Sequence, residues 1–339
     1  AGHIRDLVRR FDFDFMRGDM SHVQMRDEGV PLEIDEFYDP LAYVKSVVVR
    51  ERPSFAYFAE TFLAPPGVMA YGDEVDHLEG SAAEVTLGNL QSMALENDEF
   101  LATLRRYLDI AARRSVTPSF TVMTGDKDDP RFDRYYLEGN EARTFLSLFL
   151  PELPSYTALG FELRDPHETP APNERYTKLY VFHEESGPKA THGPYRFGAN
   201  IALFEQLTRI RRFAEDHPWL VDGSADFAWG LLPDPTAGNR TVAWWLTHGA
   251  ARYLCAVNTS TTKERAAMLV PRAGALRGVA GRGTNATATT VPCLFSTTEL
   301  TEATRGEDPD RRAEIGSKAV RIPWLAPGEA RIYQNGDDA

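Results

Sequence analysis

Over the first 216 residues, short apolar runs rich in Phe, Val and Tyr alternate with stretches of helical period, and this alternation limits the fold more than any other feature. Apolar strands each followed by an amphipathic helix are the pattern of parallel strands joined by crossover helices. The runs 11–16, 55–59, 85–87, 120–124 and 156–163 read as strands. Helices are expected over 39–50, 97–114, 141–150 and 199–214. Asp39 suits the N-cap of the first of these and Pro40 its first helical position, while Pro53 stops it. In the second, Phe100, Leu101, Leu104, Leu108 and Ala111 supply one apolar face.

After His217-Pro218-Trp219 the texture changes to short strands, 242–246, 252–257 and 330–333, separated by Gly, Pro, Asn and Thr. Strands at that spacing imply a small antiparallel sandwich. The domains are therefore read as 1–216 and 217–339. Residues 164–198 form an insertion rich in Pro, His, Glu and Gly, and loops of that length usually carry function.

Composition removes several classes. Thirty-seven Lys and Arg against 50 Asp and Glu leave a net charge of −13, which repels a phosphate backbone, so no nucleic-acid partner is expected. No apolar run reaches the roughly 18 residues of a bilayer span, so no membrane partner is expected either. Cys255 and Cys293 have no metal-ligand spacing and apolar flanks, and are expected to be free thiols rather than zinc ligands. The N-terminal residues lack the charged start and apolar run of a secretory leader, which a mature secreted form would lack as well; a cytoplasmic location is the expectation, with secretion the alternative.

In a barrel of parallel strands the reacting groups stand at the strands' C-terminal ends. The first strand leads to Arg17-Gly18-Asp19, the second to Glu60 and the fourth to Asp126-Lys127-Asp128-Asp129. Three carboxylates converging on one mouth repel each other unless their charge is used, as in glycoside hydrolysis with its nucleophile and proton donor. Blander readings stand beside this one: Arg17 with Asp19 as a surface ion pair, and 126–129 as an Asp-rich turn. His77 reads as a loop residue, Arg209, Arg211 and Arg212 as a solvated helix face, and Trp219, Trp229, Trp244 and Trp245 as core or as sugar-stacking platforms.

The segment 13–22, Phe-Asp-Phe-Met-Arg-Gly-Asp-Met-Ser-His, resembles the fourth-strand motif of the α-amylase superfamily, glycoside hydrolase family thirteen. Phe58-Ala59-Glu60-Thr61-Phe62 resembles its fifth-strand motif, 120–132 its seventh, 145–162 its seventh helix and eighth strand, and the tail from about 220 its C-terminal β domain. The resemblance implies strands four to eight of a (β/α)8 barrel followed by an antiparallel β-sandwich domain. It implies a retaining α-glycoside hydrolase or transglycosylase, acting on an α-linked glucan or oligosaccharide through a covalent glycosyl-aspartate. Asp19 would be the nucleophile, Glu60 the general acid/base and Asp128 the carboxylate gripping sugar hydroxyls. Arg17, His22, Asp126, Lys127 and Arg131 would bind substrate, and neither cofactor nor metal is implied.

Two departures are visible. Asp126-Lys127 replaces the family's usual Asn-His, and His22 follows Asp19 by three residues where many members have four. Nothing here resembles the first three barrel strands, so a second polypeptide or a further segment is expected to supply them. The alternative function is a catalytically silent amylase-like subunit that binds glycans or scaffolds a complex.

Overall fold

A computed structural model describes residues 1–19, 21, 40–63, 74–79, 83–123, 139–150, 153, 155–158, 201–222, 240–269, 288–298, 311–316 and 319–335. Packing divides the chain into two compact units. The first comprises Ala1–Ser92, Thr103–Thr121 and Glu152–Tyr156, and the second Met93–Ala102, Val122–Pro151 and Thr157–Ala339.

The chain opens with helix α1 (Gly2–Phe11), not with the strand expected at 11–16. Ile4 and Val8 lie on its apolar face against α2 (Pro40–Val48), where Val48 and Phe55 complete the cluster. Asp12 then takes the left-handed conformation, φ 59°, and its N–H caps the helix on the Val8 carbonyl. Asp tolerates that region better than most residues. Strand β1 (Phe15–Gly18) therefore begins later than the Phe-Asp alternation implies.

β1 pairs in parallel with β2 (Ala56–Ala59), which pairs in parallel with β3 (Val85–Thr86). The order is β1-β2-β3, with α2 crossing between the first two strands and a short α3 (Glu74–Glu79) between the second and third. Tyr57 and Ala59 are fully buried on β2. Helix α4 (Asp98–Arg113) buries Leu104 and Tyr107 completely, and it leads to β4 (Phe120–Met123). Side chains tie the start of β4 to β3: Thr121 Oγ1 donates to the Thr86 carbonyl at 3.1 Å, and the Thr86 N–H donates to Ser119 Oγ at 3.1 Å.

Helix α5 (Asn140–Phe149) follows, then β5 (Ser155–Ala158), which pairs with β4, and helices α6 (Ile201–Asp216) and α7 (Pro218–Val221). The remainder is antiparallel. Strands β6 (Thr241–His248) and β7 (Ala251–Asn258) form a hairpin through a tight turn at Gly249, φ +55°. The other strands are β8 (Arg265–Leu269), β9 (Thr289–Val291), β10 (Cys293–Ser296), β11 (Ala313–Ile315), β12 (Val320–Leu325) and β13 (Ala330–Asn335). Among the described residues, β6 to β13 make two four-stranded sheets, ordered β10-β13-β7-β6 and β8-β12-β11-β9.

Trp244 and Trp245 are buried on β6, as core rather than platform. Cys255 and Cys293 are free and buried, and burial pushes the Cys293 thiol up to about 12. Arg209 departs from the expected solvated face. Its guanidinium donates to the Ser296 carbonyl at 2.8 Å and to that of Thr297, while Arg211 and Arg212 on the same helix are exposed. Trp229 and the 164–198 insertion lie outside the described residues.

Candidate active site

Asp19 follows β1 directly and Glu60 follows β2 directly. The parallel register pairs Gly18 with Ala59, so the two carboxylates stand one step beyond the same rung. The Glu60 N–H donates to the Gly18 carbonyl at 3.0 Å and extends the pairing to the site itself. Gly18 is required sterically: a Cβ there would lie 2.4 Å from Leu41 Cδ1 and 2.9 Å from both Ser21 Oγ and Tyr57 Cε2. Ser21 is buried, donates to the Gly18 carbonyl at 3.1 Å and sits 3.0 Å from the Tyr57 hydroxyl, shaping the turn after β1.

Arg17 joins the two acids. One terminal nitrogen lies 2.6 Å from Asp19 Oδ1 and the other 3.0 Å from Glu60 Oε2. Placement of Arg17 beside Asp19 alone is the expectation from sequence order; the fold makes it a bridge. Glu60 is the inner member, its side chain 11% exposed against 62% for Asp19. Burial opposes the charge on Arg17, but the hydrogen bond to Asp19 and the charge of Glu60 outweigh it and leave the guanidinium more basic than usual. A guanidinium between two carboxylates offsets their repulsion and orients both, because its donors form a planar fork.

The backbone beyond Glu60 is held tightly. The Gly88 N–H donates to the Thr61 carbonyl and the Glu74 N–H to that of Phe62, each at 3.0 Å. Asn89 grips Leu63 from both sides, accepting its N–H at 2.6 Å and donating to its carbonyl at 3.2 Å. None of these positions stands out in a search for strand-end charges. The Gly88-Asn89 pair, one residue beyond the end of β3, is the one local signal available.

Of the sequence-derived candidates, the structure brings Arg17, Asp19 and Glu60 together. His22, Asp126, Lys127, Asp128 and Arg131 lie outside the described residues. His77 is on helix α3 and 1% exposed, so it is not a loop residue. Among the described residues, no three His, Cys, Asp or Glu side chains are grouped as a metal site requires, and no helix is long and apolar enough to cross a membrane.

Parallel strands with acids at their C-terminal ends, followed by antiparallel sheets, have a counterpart in solved structures of α-amylase type. An α-amylase from Anoxybacillus superposes with a TM-score of 0.54 at 14% identity, covering 100% of this chain and 63% of that one. A trehalulose synthase variant in complex with Tris gives 0.55 at 14% identity, over 98% of this chain and 68% of the other. A debranching enzyme from Nostoc punctiforme gives 0.50 at 12% identity, over 98% and 60%. This chain thus spans under two thirds of the Anoxybacillus amylase's length, and at such identities the likeness is one of fold. No family model and no curated protein sequence matches the chain.

Proposed function

We propose that the chain carries the catalytic centre of a retaining α-glycosidase or transglycosylase acting on α-linked glucan or oligosaccharide. The observation that carries this reading is the Arg17 bridge between Asp19 and Glu60 at the ends of adjacent parallel strands. Retaining enzymes keep their two carboxyl groups about 5–5.5 Å apart, whereas inverting ones hold them roughly 6.5–9.5 Å apart. One guanidinium touching both acids is compatible with the closer spacing. A lone surface ion pair would need no second acid on the neighbouring strand.

Asp19 attacks the anomeric carbon as the bond to the leaving oxygen breaks, and Glu60 gives that oxygen its proton. Glu60 then takes a proton from water or a sugar hydroxyl, which attacks the glycosyl-aspartate and frees Asp19. Arg17 keeps Asp19 ionised and aligned between turnovers. Asp128, with Asp126, Lys127, Arg131 and His22, is assigned the sugar hydroxyls, and no cofactor or metal enters the scheme.

In this reading β1 to β5 are strands four to eight of a (β/α)8 barrel, and the antiparallel sheets form its C-terminal sandwich. Strands one to three come from a second polypeptide or a further segment and close on β1. Among the described residues β1 is paired on one side only. Phe11 at the end of α1, Phe13 just before β1 and Phe15 on β1 are 61%, 50% and 46% exposed, apolar surface suited to being covered.

The test is reducing-sugar release from α-glucans by the natively isolated protein, wild type against Asp19→Asn, with native mass measured alongside. Loss of activity in the variant is expected. A wild-type assembly of complete mass that is as inert as the variant across glucans and oligosaccharide acceptors refutes the reading and favours a silent glycan-binding subunit.

A further inference from the structure

Glu74 is a carboxylate with no solvent exposure that the scheme above does not use. It begins α3, and its two oxygens accept from hydroxyls on two other elements: Oε1 from Thr86 on β3 and Oε2 from Tyr107 on α4. The Tyr107 hydroxyl in turn accepts the Asn89 N–H at 2.9 Å. Asn89 is the residue that grips Leu63 through both its N–H and its carbonyl, three positions after Glu60. The main chain of Glu74 enters the same construction, since its N–H donates to the Phe62 carbonyl.

Gly88 lies directly over this hub: a Cβ on it would fall 2.5 Å from the Tyr107 hydroxyl and 2.8 Å from Glu74 Oε1. Its N–H donates to the Thr61 carbonyl. Every residue from 60 to 63 therefore has a main-chain group fixed by β1, by α3 or by the 88–89 corner, and the last two converge on one buried carboxylate. Burying a carboxylate is costly unless its hydrogen bonds are satisfied, and an apolar side chain at 74 would serve packing alone at less cost. What the carboxylate adds is direction, because its two oxygens set β3 against α4 and so fix where Asn89 meets Leu63.

We infer that Glu74 is a positioning residue for Glu60: through Thr86, Tyr107 and Asn89 it fixes the backbone that follows the general acid, and so the aim of Glu60 at the leaving-group oxygen. This inference rests on the glycosidase reading. A positioned acid matters for a leaving group that needs a proton and hardly at all for one that leaves without it. Sugar alkoxides belong to the first kind and fluoride to the second.

The experiment uses the protein isolated with any native partner, as wild type, Glu74→Gln, the milder Tyr107→Phe, and Glu79→Gln as a control at an exposed ion pair with Arg114. The probes are maltotriose and α-glucosyl fluoride. In both network variants kcat for maltotriose is expected to fall about tenfold, part of the roughly 10²–10⁴ that acid–base catalysis contributes. KM and turnover of the fluoride should change less than about threefold, and the control should match wild type. Equal loss on both probes, or loss on neither, overturns the inference and leaves the glycosidase reading intact.

If wild type turns over neither probe, amide hydrogen exchange judges the clamp, and the glycosidase reading is judged by the wider set of glucans and acceptors named above. Faster exchange confined to Leu63, Gly88 and Asn89 in Glu74→Gln and Tyr107→Phe upholds Glu74 as the device that fixes this segment. A uniform rise through the first unit reduces Glu74 to general stability and overturns the inference.

Discussion

Gly88→Ala separates backbone strain from intrusion on the buried carboxylate. Gly88 has φ +69° and Gly249, in the β6–β7 turn, has φ +55°. An L-residue in that region costs roughly 1–2 kcal/mol, and both sites share this cost. At Gly249 a Cβ meets nothing within 4 Å, so strain is the whole expectation, about 1–2 kcal/mol. At Gly88 the methyl group would displace the Tyr107 hydroxyl or Glu74, or move the corner carrying Asn89. Leaving one buried polar group unsatisfied adds about 1–3 kcal/mol, so Gly88→Ala should cost about 2–5 kcal/mol in total. The assay is equilibrium urea unfolding. The tryptophans at 219, 229, 244, 245 and 324 all fall in the second unit, so the first unit must be followed by far-UV circular dichroism, while fluorescence suits Gly249→Ala. Equal costs for the two alanines refute the reasoning, because the Glu74–Tyr107 hub would then be soft enough to yield to a methyl group.

Other expectations test the second unit. Glu329 and Arg331 form a doubly hydrogen-bonded pair with both side chains 0% exposed, and Glu329 also accepts from Ser296, Thr298 and the Ala326 N–H. Arg331→Met should cost about 3–5 kcal/mol in urea titration, and replacing both partners with apolar residues should not restore stability, because the three other donors lose their acceptor; full recovery would contradict this. Burial raises the Glu96 carboxyl, but hydrogen bonds from Thr261, Thr262 and Ser260 outweigh it and hold it below its ordinary value. Its contribution is therefore present above the unfolded-state value, near ~4.3, and is lost as pH falls through the folded one. Glu96→Gln should flatten the acid limb of a melting-temperature profile, and an unchanged limb would refute the assignment. Glu141 has the opposite sign: burial raises it, and neither its own backbone hydrogen bond nor the charge of Arg209 restores it. Its contribution is fully present below the unfolded-state value and is lost as pH rises through the folded one, so Glu141→Gln should stabilise at pH ~7 and not at pH ~4. Cys255 and Cys293, whose thiols burial pushes up, should resist iodoacetamide in the native protein and react once it is unfolded.

The sequence was most legible where periodicity and punctuation agree. The helix expected to begin at Pro40 is described from that residue, and the apolar stripe from Phe100 to Ala111 lies on a helix running Asp98–Arg113. It was least legible at the start, where Ile4, Val8 and Phe11 share a helical period while Phe11, Phe13 and Phe15 share a strand period. Phe11 belongs to both patterns, and the left-handed Asp12 decides for the helix. Asp19 and Glu60 were legible as charges beyond strands. The part of Arg17 was only half legible, because its contact with Glu60 depends on the register pairing Gly18 with Ala59, and register is a property of two segments together.

The same reasoning explains which polar residues a one-dimensional reading misplaces. Arg209 was assigned to a solvated face because its neighbours along α6 are charged, yet its acceptors are main-chain carbonyls 87 and 88 residues away. Glu74 carried no signal because Thr86 and Tyr107 reach it from two separate elements, and Asn89 is joined to it only through the Tyr107 hydroxyl. In both cases a polar side chain reaches across the sequence to help hold main chain at or just beyond the end of a strand. Such strand ends are where a barrel places its chemistry, since backbone groups beyond a strand's last rung need partners that the sheet no longer supplies. A carboxylate buried next to an irregular segment is therefore better read first as the partner of that segment than as a second reactive acid. For Glu74 the distinction is experimental: a reactive acid would bring its own proton transfer, whereas a positioning one acts only on reactions that need the proton proposed to come from Glu60.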